Sequence, residues 1–151
     1  MSEDAPALNF DAEISPEFNQ FVLGTGDVLR IAEQLGRQAS SSPESLGVTA
    51  PEGALFRLAP GVVELSITGE VWTQTPTSTV SPHLDRLVFR LEPSGTSLQL
   101  ASITPSPADV TVELPEVRPY TVEVLVLDRQ TRHDDDFDIS VRTERWLIRL
   151  W

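Results

Sequence analysis

Between Gly61 and Trp72 the chain alternates apolar and polar residues, with Val63, Leu65, Ile67 and Val71 set against Glu64, Ser66, Thr68 and Glu70. Side chains on a strand point to opposite faces in turn, so this pattern makes a long strand with one wet face. It excludes an amphipathic helix, whose apolar positions recur every three or four residues. The same period returns at Leu87, Phe89 and Leu91, set against Arg86, Val88, Arg90 and Glu92, and again at Val110, Val112 and Leu114 before Pro115. Leu8 to Ile14 and Glu17 to Leu23 read as two short strands parted by the breaker pair Ser15-Pro16. Pro93-Ser94-Gly95 is a turn signal, so residues 84 to 102 are expected to form a hairpin. Tyr120 to Leu127 and Arg145 to Trp151 are apolar on both faces, as central strands covered on each side should be.

One segment follows the helical period. Val28, Ile31, Ala32 and Leu35 share one face, Thr25 or Asp27 is placed to cap the start, and Gly36 to end a helix of about ten residues. Residues 38–53, QASSSPESLGVTAPEG, read as a flexible loop. About eight strands at roughly ten-residue spacing with one short helix imply an all-β fold, an antiparallel β-sandwich or jelly-roll-like domain. With 151 residues, the chain 1–151 is expected to be one domain.

The charge narrows the partners. The net charge is −12, from 23 carboxylates against 11 arginines and no lysine, which repels nucleic acid and disfavours binding it directly. The absence of cysteine removes disulfides, thiolate nucleophiles and cysteine zinc sites. No apolar run approaches the roughly 20 residues of a membrane helix. MSEDAPALNF lacks the basic-then-apolar opening of an export signal, so the expected location is cytoplasmic. Residues 1–84 hold 11 carboxylates and 3 arginines, whereas residues 85–151 hold 12 and 8. Whether these acids join into one surface depends on the fold.

The densest local feature is RHDDDFD at 132–138, which places Asp134, Asp135, Asp136 and Asp138 in one connection. A calcium loop needs alternating oxygen ligands, a central glycine and a closing bidentate carboxylate; the glycine is missing and position twelve falls on Arg145 or Leu147. No metal and no cofactor are therefore expected. Two readings stand for the loop: a solvated tip that discourages edge pairing, or an acidic contact patch for a basic partner. His83 and His133 have no nucleophile motif beside them, and Gly24-Thr25-Gly26 is not followed by the Lys of a phosphate loop, so no catalytic residue is assigned. Trp146, followed by the apolar pair Leu147 and Ile148, is expected in the core. Trp72, at a strand end beside a polar run, is open to either state, and if exposed it would offer a stacking face to a sugar.

EFNQFVLGTGD at 17–27 resembles the opening strand of the ComJ-like group of bacterial proteins, where a YxQFxLxD-like pattern precedes a variable loop. GALFRLAPGVVELSITGEVW at 53–72 is similar to the next strand pair of that group. RPYTVEVLVLDRQ at 118–130 and TERWLIRLW at 143–151 are similar to its closing strands. These are strand patterns rather than catalytic signatures. The resemblance implies a nuclease-inhibitor or immunity-type protein, with no enzyme activity of its own and a nuclease or toxin as partner. The expected function is thus a non-catalytic acidic binding protein that inhibits a basic protein partner, with Asp134, Asp135, Asp136 and Asp138 as contact residues. The alternatives are a carbohydrate- or small-ligand-binding β-sandwich module and an enzyme with an unrecognised site.

Overall fold

The period-two segments become strands in a computed structural model that describes residues 5–16, 19–41, 46–77, 82–103 and 109–151. Along the chain these are β1 (Leu8–Ile14), β2 (Gln20–Thr25), α1 (Val28–Ser41), β3 (Gly47–Ala50), β4 (Gly53–Arg57), β5 (Val62–Val71), β6 (Asp85–Leu91), β7 (Ser97–Ser102), β8 (Val110–Glu113), β9 (Tyr120–Asp134) and β10 (Ile139–Leu150). Sheet A has the order β1-β5-β10-β9-β6 and sheet B the order β3-β4-β2-β7-β8. Every pairing is antiparallel except β5 with β10. This is the mainly antiparallel all-β sandwich with one helix that the alternation implies.

Alternate residues of both sheets meet in the main core. Phe10, Ile14, Leu65 and Ile67 come from one side of sheet A, and Val122, Val124, Trp146 and Ile148 from its centre. Phe21, Leu23, Phe56 and Leu100 answer them from sheet B. Trp146 packs edge-on to Phe21 and Phe56, with ring centroids 5.1 and 5.8 Å apart, an arrangement that sets the positive ring edge against a negative face. Gly69 faces inward directly opposite Phe10, whose ring fills the place a Cβ would take.

A second, smaller core lies on the other face of sheet B, where Val22 and Leu55 meet Val28, Ile31 and Leu35 of α1. Asp27 caps this helix, its Oδ1 accepting from the Arg30 N–H at 3.2 Å. No described helix covers the outward face of sheet A, so the molecule has one wrapped side and one sheet face without a helical layer.

Three local expectations differ from the structure. The helix runs through Gly36 to Ser41, because a glycine inside a helix costs only about 1 kcal/mol and the packed face at Val28, Ile31 and Leu35 outweighs it. The segment 38–53 is only partly a connection: the helix end occupies its start, β3 and the beginning of β4 its end, with Val48 and Ala50 packed on the second core. Residues 84–102 do not form a hairpin, since β6 lies in sheet A and β7 in sheet B. The connection between them is tied to sheet B at the corner, where Glu92 N–H donates to the Pro51 carbonyl at 2.6 Å and Ser94 N–H to Thr25 Oγ1 at 3.1 Å. A turn signal fixes a reversal of direction but not the sheet in which the next strand pairs.

Candidate functional site

The two longest strands, β9 and β10, outrun their neighbours. β6 accompanies β9 only as far as Asp85 opposite Val126, and β5 accompanies β10 only as far as Val62 opposite Arg142. The remaining pairs, Val141 with Arg132, Ser140 with His133 and Ile139 with Asp134, form a two-stranded arm about 10 Å long at the usual strand rise. Its neck is fastened where Arg142 Nη1 donates to the Pro60 carbonyl at 2.8 Å. The adjoining Gly61 has φ +83°, a left-handed turn that a side chain would strain.

The tip of the arm carries the acidic run. Asp134 ends β9 and its side chain lies outside the described residues; Asp135, Asp136, Phe137 and Asp138 make the turn. Asp138 has φ 51°, a left-handed conformation that aspartate tolerates better than most residues because its short polar side chain bonds locally. The side chains of Asp135 and Asp138 are 95% exposed, and His133 Nε2 lies 3.2 Å from Asp138 and 3.6 Å from Asp135. The sequence did not single out Phe137. It is 73% exposed, and Ile139 beside it is 52% exposed. The available signal was an aromatic residue inside a run too acidic to be buried.

The outward face of sheet A answers the question of the uneven acidity. Asp11 and Glu13 of β1 and Glu64 and Glu70 of β5 point to this one face, so part of the negative charge of the first half of the chain is collected there. Along one row Glu13, Ser66, Arg145 and Asp128 stand side by side; along another, Glu70, Arg149 and Glu123. Glu123 is buried there and accepts from Arg149 Nε at 3.0 Å and Arg86 Nε at 2.8 Å. Burial, the largest single effect, pushes its pKa up, but the hydrogen bonds and charges of Arg149 and Arg86 together outweigh it and hold the carboxyl below its usual value.

The other expected candidates fall as follows. Trp72 is 3% exposed, with Nε1 donating to Glu70 Oε1 at 3.1 Å, and so presents no stacking face to a sugar. Trp146 is fully buried, as its apolar neighbours require. His83 lies exposed just before β6, in a different part of the fold from the arm that holds His133. Among the described residues no group of three or more His, Asp or Glu is arranged to hold a metal ion, and no helix is long and apolar enough to cross a membrane.

No protein-family model matches the chain, and no curated protein matches it in sequence. Two solved structures share its fold. One is ComJ from Bacillus subtilis, described as the inhibitor of the DNA degrading activity of NucA, with TM-score 0.60, 12% identity and 93% of each chain covered. The other is the product of crocagin biosynthetic gene J, with TM-score 0.56, 12% identity, and 95% of this chain and 97% of that chain covered. At this identity the likeness is one of fold, shared over more than nine-tenths of the chain.

Proposed function

We propose that this chain is a non-catalytic acidic protein that inhibits a basic protein partner, a nuclease or toxin, and that it makes contact through the β9–β10 arm. The observation that carries this reading is the composition of the arm tip, where Phe137 stands 73% exposed among exposed aspartates. A large apolar side chain held out in water gains on docking into a pocket. The flanking carboxylates Asp134, Asp135, Asp136 and Asp138 suit a cationic rim around that pocket, which raises the rate of encounter. A nuclease fits this description because its cleft is built to attract phosphates, and the fold likeness to an inhibitor of a DNA-degrading enzyme supports that choice of partner.

The test is a DNA-degradation assay with NucA and with any nuclease or toxin encoded beside this chain's gene. Stoichiometric loss of cleavage by at least one of them is expected, relieved as salt screens the charges. Undiminished cleavage by all of them in a saturating excess of the chain would overturn the reading.

A further inference from the structure

At the foot of the arm, on the outward face of sheet A, lies a depression of about 400 Å³. Its walls bring together Arg132 and Arg145, the carboxylates Glu64 and Asp128, the hydroxyls of Ser66 and Thr143, and a third carboxylate, Glu144, which is already paired with Arg129. Six guanidinium groups of the chain, those of Arg30, Arg86, Arg90, Arg118, Arg129 and Arg149, each meet a carboxylate. Those that line the depression do not. Among the described residues neither Arg132 nor Arg145 has an ion-pair partner within 4.0 Å, and neither has Glu64, although all three line the same space. Asp128 accepts only the Gln130 side-chain amide, at 2.9 Å, which leaves its other oxygen for a ligand.

We propose that this depression binds a small polar amino acid as its zwitterion, the carboxylate on Arg132 and Arg145 and the ammonium on Glu64 and Asp128. Charges of both signs lining one cavity complement a molecule that itself carries both signs. An isolated anion would face Glu64 and Asp128 inside a chain of net charge −12, and an isolated cation would face two guanidiniums. The volume lies at the small end of the range for ligand sites, and the hydroxyls of Ser66 and Thr143 favour a polar side chain over an apolar one. The site shares no residue with the arm tip and stands independently of the inhibitor reading.

Serine and glutamine serve as probes, followed by the backbone amide resonances of Ser66, Asp128, Thr143 and Arg145 in the full chain. Both amino acids are expected to shift these resonances, and the N-acetyl and carboxamide forms of glutamine to bind about tenfold or more weakly. Two variants separate the ends. Arg145→Gln should weaken the free amino acid while leaving the carboxamide unaffected, and Glu64→Gln should do the same for the N-acetyl form, both at wild-type thermal stability. No shift at roughly 10 mM of either amino acid would overturn the proposal. Equal affinity for inorganic phosphate or for methylammonium would overturn it as well, because the site would then recognise a single charge.

Discussion

Glu123 remains charged at a position only 6% exposed because Arg149 and Arg86 reach it from β10 and β6. Removing one partner of such a group leaves the other buried and uncompensated, so Glu123→Ala should lower stability by about 3–5 kcal/mol in urea unfolding at neutral pH. The sign with pH follows from the depressed pKa. In the folded state the carboxyl ionises more readily than in the unfolded chain, so its stabilisation is complete above the usual value of 4.5 and is lost as pH falls through the lower folded value. Wild type should therefore show a steeper loss of stability in that acid window than Glu123→Gln. Trp146 gives a second prediction at this scale. Its ring is fully buried and its Nε1–H meets no acceptor among the described residues, so its contribution is read as packing. Trp146→Ala should cost about 3–5 kcal/mol, and Trp146→Phe clearly less, since no hydrogen bond is lost with the indole.

Among the elements, the β9–β10 arm carries exposed charge and exposed apolar surface at one tip, and the proposed interface assigns them different effects. Changing Asp135, Asp136 and Asp138 to asparagine should leave the melting temperature within about a degree or two, because exposed like charges contribute little to folding. The same change should slow association with the inhibited partner and flatten its salt dependence, as rim charges act on the on-rate. Phe137→Ala should instead speed dissociation, by about thirtyfold if it removes roughly 2 kcal/mol of a central anchor. Stopped-flow association and surface-plasmon dissociation measurements separate the two, and equal rates in all variants would take the arm out of the interface. The β6–β7 connection shows a different property of elements. Its Pro-Ser-Gly signal is a true turn, yet the strands it joins belong to opposite sheets, and Thr25 of β2 and Pro51 in the β3–β4 turn supply the partners at the corner.

In the whole molecule the two cores are joined through single strands. Phe21 and Leu23 of β2 point into the space between the sheets, while Val22 between them points to α1. Losing the helix layer therefore exposes the back of the strand that builds the main core. Unfolding should be one cooperative transition, with far-ultraviolet circular dichroism and tryptophan fluorescence reporting the same midpoint. Two separated midpoints would show that the helix layer melts by itself. The same layering leaves the face of sheet A opposite the helix without a cover among the described helices, and there the carboxylates of β1 and β5, the foot of the arm and the charged depression share one surface.

What the sequence determined alone was local and periodic. Alternation in β5 and β8, and the two-sided apolar character of β9 and β10, specified strands and most of their buried faces, because strand geometry converts a period of two directly into inside and outside; Val63 departs from this, standing 47% exposed while Val62 before it is buried. The acidic run at 134–138 was likewise legible as a connection, since four aspartates in five residues have no place in a core. Only the tertiary structure decided which strands neighbour which. The parallel pairing of β5 with β10, the passage from β6 to β7 across the sandwich and the strand content of 38–53 all rest on contacts between residues distant in sequence. The sites belong to that second class. Arg132 and Arg145 meet Glu64 in one depression because β5 lies beside β10, and Phe137 stands in water because β9 and β10 continue after their neighbours have ended. Sequence periodicity records which way a side chain points, whereas strand order and unequal strand length determine what it meets there.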